Sequence, residues 1–127
     1  AFATQAVKGN KINVTGSLNR FRDIIYVDDV VNALKMSLTF ENSNTFNLST
    51  GVKTTIKELI DTIIKVLGKN KEDFIIENVG GHLGDQQGCV GNNKKLIKKG
   101  WEVKYDLETG INKFIEYIKN NEHNISK

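Results

Sequence analysis

The clearest candidate for chemistry in this sequence is an arginine followed directly by an aspartate, Arg22-Asp23. The planar guanidinium of arginine presents a fork of N–H donors that matches the oxygens of a phosphate group. The β-branched run after it predicts a short strand over residues 24–27, and Asp28 or Asp29 is expected to cap the helix that follows. Arg22 would then stand where an element begins. An ion pair with Asp23 or Asp28 explains the same arginine equally well.

A second candidate lies in the glycine-rich segment 80–88, which contains His82 and Asp85. Its glycines and polar residues predict a loop. Asp85 can accept hydrogen bonds from sugar hydroxyls or from the amides of its own loop, and turn chemistry alone favours the loop amides. The segment opens no helix, so it does not match a dinucleotide-binding loop.

No complete catalytic set is visible in the sequence. A short-chain dehydrogenase needs a tyrosine followed four positions later by a lysine that lowers the pKa of the phenol, and none of the three tyrosines, at 26, 105 and 117, has one. His82, His123 and Cys89 lack the spacing of metal ligands. The lysines of segment 94–99 are explained as the solvated face of a short helix, so we predict no catalytic residue, no metal and no nucleic-acid binding.

The elements that would position these side chains follow from periodicity. The clearest helix begins at Thr55, where Thr55 and Glu58 form a capping-box pattern, and Asp106 is expected to cap a second apolar helix. Alternation predicts strands over residues 11–14, 45–49 and 73–79. Further helices are expected over residues 1–8, from about Val30 to about Phe40 and over 92–99, with Leu96 and Ile97 inward and Trp101 as an anchor. The sequence therefore predicts one mixed α/β unit covering residues 1–127.

Composition sets outer limits on function. The 127 residues include 18 Lys and Arg and 15 Asp and Glu, a net charge of +3 that permits an acidic ligand without requiring nucleic acid. There is no apolar run long enough to span a membrane, and Cys89 is the sole cysteine. We expect a soluble, cytoplasmic protein. The first helix starts without a cap or an initiating methionine, which predicts that these residues follow an upstream segment.

Set in order, several short motifs resemble the C-terminal portion of the NAD-dependent nucleotide-sugar epimerases and dehydratases, the extended short-chain dehydrogenases typified by UDP-galactose epimerase. The likeness runs from about residue 1 to residue 119. The motifs that carry it are Gly16, Arg22-Asp-Ile-Ile-Tyr-Val-Asp-Asp-Val-Val31, Phe46-Asn-Leu-Ser-Thr-Gly51, Thr55-Ile-Lys-Glu-Leu59, Gly84-Asp85, Gly100-Trp101 and Leu107-Glu-Thr-Gly-Ile111.

This resemblance implies the substrate-binding part of an extended Rossmann-type enzyme, without the NAD-binding Rossmann core. It implies that Arg22 contacts the substrate diphosphate, that Asp85 meets the nucleotide ribose, and that Asn13 and Thr15 border the base. NAD and the Tyr-Lys pair would belong to an N-terminal domain absent from these residues, so the chain alone is expected to be inactive. The strand at 45–49 would lack its usual neighbour in the NAD-domain sheet.

One departure from the family pattern concerns the second phosphate contact. Many relatives carry arginine two positions before the Gly-Asp pair, where this chain has His82, and a neutral imidazole offers phosphate less charge. Gly84-Asp85-Gln86, followed by Gly100-Trp101, is most similar to CDP-tyvelose epimerases. A stand-alone small-ligand or protein-interaction module that reuses this fold is the alternative function. Apolar surface left by an absent domain predicts self-association.

Overall fold

A computed structural model describes residues 2–41, 44–81 and 86–121 of the chain. Helices and short strands alternate along it, as expected for a mixed α/β unit. In chain order they are α1 (Phe2–Lys8), β1 (Lys11–Val14), β2 (Phe21–Arg22), α2 (Val27–Ser37), β3 (Thr54–Thr55), α3 (Ile56–Val66), a 3-10 helix (Lys71–Asp73), β4 (Ile75–Asn78), α4 (Lys94–Ile97) and α5 (Leu107–Asn120).

The strands form two separate pairings. β1 lies parallel to β4, with Lys11 opposite Ile75 and Val14 opposite Asn78. β2 lies antiparallel to β3, with Arg22 opposite Thr54. The predictions of strands at 11–14 and within 73–79 are confirmed, and β2–β3 is the pairing that holds Arg22.

Helix α3 forms where the sequence predicts it. The Glu58 amide donates to Thr55 Oγ1 (3.1 Å), and the Thr55 amide donates to Glu58 Oε2 (2.7 Å), which completes the capping box. Its apolar stripe packs against α1, β1 and α5. The buried members of this first core are Ala3, Ala6, Ile12, Val14, Ile60, Ile63, Ile64, Phe74, Ile111, Ile115 and Ile118.

A second, smaller core joins α2 to α4. Ala33, Leu96 and Trp101 are buried in it, and Trp101 Nε1 donates to the carbonyl oxygen of Asp29 (3.2 Å). The predicted anchoring role of Trp101 is therefore confirmed. Ile97 was expected inward but is 49% exposed, because α4 is a single short turn that ends at this residue.

The prediction of a strand at residues 24–27 is wrong. Val27 is already the first residue of α2, because the carbonyl of Tyr26 accepts hydrogen bonds from the amides of Asp29 (3.1 Å) and Val30 (3.4 Å). The strand that carries Arg22 ends before the β-branched run. Segment 23–26 belongs to neither strand pair within the described residues.

The prediction that Asp28 or Asp29 caps α2 is also wrong. Both lie inside the first turn, and Tyr26 occupies the cap position without a side-chain hydrogen bond. Asp29 is fully buried, and its carboxylate accepts from the amides of Lys104 (3.1 Å) and Tyr105 (3.2 Å) instead. Its role is to tie α2 to the segment before α5.

The predicted strand at 45–49 does not form among the described residues. A strand requires a ladder partner, and the Asn47 side chain instead donates to the carbonyl of Asn92 (3.3 Å). α2 also ends at Ser37 rather than near Phe40. The described residues contain no helix long and apolar enough to cross a membrane.

Candidate functional site

Arg22 is the last residue of β2, held in place by the pairing with buried Thr54. Its Nη1 donates to the carbonyl of Phe21 (2.7 Å), which uses one of the five N–H donors of the guanidinium. The side chain is half-buried and forms no ion pair with any described residue. Its remaining donors leave it able to bind an anion.

Asp23, the obvious ionic partner, is occupied by other donors. Its Oδ1 accepts from the amide (2.7 Å) and the hydroxyl (2.6 Å) of Thr50, and its Oδ2 accepts from the amides of Gly51 (2.9 Å) and Gly91 (3.1 Å). Arg22 and Asp23 therefore form no ion pair in this structure. Three amides and one hydroxyl stabilise the negative charge of Asp23.

The hydrogen bonds also determine the ionisation of Asp23. Burial alone would raise the pKa of this carboxyl group. Donation from the hydroxyl and amide of Thr50 and from the amides of Gly91 and Gly51 outweighs burial, so the pKa lies below its ordinary value of 3.8. Asp23 is consequently ionised throughout the physiological range.

The segment 86–91 runs alongside the same strand. The amide of Phe21 donates to the carbonyl of Gln87 (3.0 Å), and Phe21 forms an isolated parallel bridge with Gly88. A Cβ atom at Gly88 would lie 2.4 Å from the Phe21 carbonyl oxygen, and one at Gly91 would lie 2.4 Å from Ser49 Oγ. These glycines are explained by close backbone approach.

Thr15 and Asn13 lie at the end of β1. Arg20 donates from Nη2 to the Thr15 carbonyl oxygen, and the Arg20 carbonyl in turn accepts from the Ile56 amide (2.8 Å). The amide of Asn13 donates to Gln5 Oε1 (2.8 Å), and its side chain is exposed. Arg20 thus links the predicted base-binding residues to the strand that carries Arg22.

His82 and Asp85 lie outside the described residues. The nearest described neighbour of Asp85 on its C-terminal side is Gln86, and Gln87 is the residue bonded to Phe21. Of the five predicted site residues, the structure thus places Arg22, Asn13 and Thr15. No group of three or more His, Cys, Asp and Glu suited to a metal ion occurs across residues 2–41, 44–81 and 86–121.

Two residues of this region were not predicted from the sequence. Arg20 and Asp23 gain their roles from partners at Thr15, Thr50 and Gly91, which are 5, 27 and 68 residues away. The usable signal was that two of the three residues that donate to Asp23, Gly51 and Gly91, are glycines, whose backbone allows close approach.

An apolar cavity of about 400 Å³ lies on the other side of residues 24–26. Its walls come from α1, α2, α3 and α5, with aromatic residues at Phe2, Tyr26, Tyr105 and Phe114. Phe114, which belongs to the apolar stripe of α5, is 42% exposed at its edge. Among the described residues that line the cavity, Asp106 carries the one formal charge, and this negative charge would repel an anion, so the cavity is distinct from the polar site around Arg22.

Comparison with known proteins identifies the family of this chain. A family model for GDP-mannose 4,6 dehydratase matches residues 1–114. The chain belongs to this family. A dTDP-4-dehydro-6-deoxyglucose reductase of Escherichia coli is 33% identical over 113 residues, which cover 85% of this chain and 34% of the relative. Together with similarity to UDP-glucose 4-epimerases, the family-model match confirms the NAD-dependent epimerase/dehydratase family expected from the motifs.

Solved structures of similar proteins show the same arrangement of elements. A dTDP-glucose 4,6-dehydratase from Bacillus anthracis, solved in complex with NAD, superposes with a TM-score of 0.84 at 28% identity, covering 96% of this chain and 39% of the dehydratase. A UDP-glucose 4-epimerase from Thermotoga maritima, solved with UDP-glucose, gives a TM-score of 0.83 at 28% identity, covering 94% and 38%. The chain therefore spans less than two fifths of these enzymes and has the mixed α/β fold of part of an extended Rossmann-type enzyme.

Proposed function

We propose that residues 1–127 form the nucleotide-sugar-binding, C-terminal side of an NAD-dependent epimerase or dehydratase, with Arg22 contacting the substrate diphosphate. The observation that carries the proposal is that Arg22 is fixed at the end of β2 while its neighbour Asp23 is committed to Thr50, Gly51 and Gly91. The guanidinium keeps its full charge and most of its donors, as phosphate recognition requires.

The remaining site residues take the roles that the family resemblance gives them. Asn13 and Thr15 border the base, and Arg20 supports that edge by its bond to the Thr15 carbonyl. Asp85 accepts from the ribose hydroxyls. His82 stands where relatives carry a second arginine, which predicts a weaker second phosphate contact in this protein.

NAD, which would supply the hydride chemistry, is proposed to be bound by residues other than these 127. The contribution of these 127 residues is to bind and orient the nucleotide sugar, so the chain alone is inactive. We place the enzyme in the cytoplasm. The similarity of Gly84-Asp85-Gln86 to CDP-tyvelose epimerases suggests a cytidine nucleotide as one of the ligands to test first.

Family membership favours this enzyme role over a stand-alone binding module. The coding sequence upstream of Ala1 distinguishes them. A glycine-rich phosphate loop and a Tyr-Lys pair in the same reading frame are the expected finding. A start codon directly before Ala1 would support the module instead.

The binding test uses the longest natural polypeptide that carries this sequence. UDP, CDP and dTDP sugars are titrated separately by calorimetry, and at least one is expected to bind. Arg22→Ala should weaken that ligand by roughly 1.5–3 kcal/mol, the scale of a charge-assisted hydrogen bond. Lys65→Ala, which removes an exposed cation paired with Glu108, is the matched control and should bind normally. Failure of all three nucleotide sugars to bind the unaltered polypeptide would refute the proposal.

A further inference from the structure

We propose that Asp23 is a positioning residue that holds the two halves of the nucleotide site together. One half is the strand that carries Arg22, and the other is segment 86–91, which directly follows Asp85 in the sequence. The inference rests on the proposed function, because it assigns to Asp23 a part in the same binding event.

The first step is the reach of the Asp23 carboxylate. It accepts from the Thr50–Gly51 turn, 27 and 28 residues away, and from Gly91, 68 residues away. Its two oxygens thus join three stretches of chain that share no strand pairing at this point. Both amides that donate to Oδ2 belong to glycines. Gly91 packs so closely against Ser49 that a Cβ atom would clash there.

The second step is that segment 86–91 is fastened on both sides of Arg22. Phe21, one residue before Arg22, bonds Gln87 and bridges to Gly88, whereas Asp23, one residue after it, bonds Gly91. Arg22 is therefore placed relative to this segment by two attachments. If the Asp23 attachment is lost, the attachment through Phe21 is the one that still joins β2 to this segment among the described contacts.

The third step is chemical. Four donors converge on the two oxygens of Asp23, and an ionised carboxylate can accept all of them. An asparagine keeps one acceptor oxygen but turns an NH₂ group toward N–H donors, so one side of the tie must break. The same arrangement keeps Asp23 from neutralising Arg22, because its lone pairs are directed at amides and a hydroxyl.

The test measures nucleotide affinity in the longest natural polypeptide that carries this sequence, with UDP, CDP and dTDP titrated separately. Asp23→Asn is expected to weaken the nucleotide that binds by roughly tenfold or more, the scale of losing hydrogen bonds to a charged group, while the affinity for NAD stays unchanged. Asp106→Asn, which alters a helix-capping carboxylate on α5, is the matched control and should leave nucleotide affinity unchanged.

A double-mutant cycle separates positioning from simple loss of stability. If Asp23 holds Arg22 in position relative to segment 86–91, the Arg22→Ala/Asp23→Asn double variant loses less affinity than the sum of the two single losses. Additive losses, or an Asp23→Asn variant that binds like the unaltered protein, overturn the inference. Should Asp23→Asn fail to fold, Thr50→Val is the milder probe, since it removes the hydroxyl that donates to Asp23 and accepts from the Val52 amide. Thr50→Ser keeps this hydroxyl and should bind nucleotide like the unaltered protein.

The outcomes also distinguish this inference from the proposed function. If the unaltered polypeptide binds none of the nucleotides, the proposed function fails and the inference fails with it. If the polypeptide binds and Arg22→Ala weakens binding, but Asp23→Asn and Thr50→Val do not, the proposed function stands and the positioning role of Asp23 is refuted.

Discussion

Two aspartates near the start of α2 act as acceptors for backbone amides rather than as partners of cations. Asp23 binds the amides of Thr50, Gly51 and Gly91, and Asp29 binds those of Lys104 and Tyr105. Each carboxylate therefore joins stretches of chain that are far apart in sequence. Removing either side chain would leave donors unpaired in a partly buried environment, which costs more than the bond itself contributes.

The Asp29 tie predicts a clear contrast between neighbouring residues. Asp29→Ala should lower the free energy of unfolding by about 1–3 kcal/mol, because the Lys104 and Tyr105 amides lose their acceptor. Asp28→Ala, one residue away and without a hydrogen bond among the described residues, should cost less than about 1 kcal/mol. Urea unfolding followed by circular dichroism measures both, and equal losses would contradict the assignment.

Aspartates whose pKa is lowered in the folded state make the stability of the protein sensitive to acid. Burial raises the pKa of Asp61, but hydrogen bonds and charges of Lys71 and Lys57 lower it below the ordinary value of 3.8, and Asp23 is lowered as well. A depressed folded-state pKa means that the unfolded chain binds protons more tightly. The resulting stability is present at neutral pH and is lost as the pH falls below 3.8 through the folded-state pKa.

We therefore expect the free energy of unfolding to fall between neutral pH and about pH 3. Asp61→Asn should show a smaller fall than the unaltered protein, because its titrating carboxyl group is gone. Denaturant unfolding at the two pH values provides the measurement. A variant with an undiminished pH dependence would show that Asp61 is not a contributor.

At the scale of elements, the segment 86–91 is defined by how closely it approaches its neighbours. Gly88 lies against Phe21 and Gly91 lies against Ser49, at distances that leave no room for a Cβ atom. Close packing against Phe21 and Ser49 accounts for the two glycines.

Gly91→Ala is expected to destabilise the protein by about 1–3 kcal/mol, the cost of overpacking a filled site. Ser49→Gly should relieve the clash, since Ser49 Oγ and Cβ are the atoms that meet the new methyl group. The double variant should be more stable than Gly91→Ala alone. Gly9→Ala, where a Cβ meets nothing within 4 Å, is the control and should be close to neutral.

The long amphipathic helices were predictable from sequence because local signals agree there. The capping box of α3 and the Asp106 cap of α5 are each contained within a few residues, and both are confirmed. Residues 24–27 and 45–49 were mispredicted as strands because strand formation depends on a distant ladder partner. The Asp23 tie could not be predicted for the same reason, since it depends on residues up to 68 positions away.

At the scale of the whole molecule, one apolar surface is uncovered in this structure. Val27, Val31 and Leu34 lie on one face of α2 and Leu38 follows at its C-cap, and Leu34 and Leu38 are 60% and 86% exposed. Val27 also lines the apolar cavity of about 400 Å³, so the stripe and the cavity are continuous. An exposed surface of this kind favours association.

We therefore predict that the 127-residue chain self-associates through this stripe. Leu34→Glu combined with Leu38→Glu should shift the chain toward monomer, because two charges would be buried in the contact. Sedimentation velocity over a range of concentrations measures the shift. Phe114→Glu, on the wall that α5 contributes to the cavity, tests whether association extends beyond α2. A chain that is monomeric at high concentration would refute the prediction.

The parallel pairing of β1 with β4 has a consequence for the order of folding. Lys11 and Ile75 are partners, yet the chain between them includes β2, α2, β3 and α3. Contacts of such long sequence separation slow folding, because the intervening loop must be closed before they contribute. During synthesis, β1 must wait for β4 to leave the ribosome, and α1 and α3 remain without their α5 packing until later still. We therefore expect this stretch of chain to expose apolar surface until folding is complete, and chaperones bind such surface.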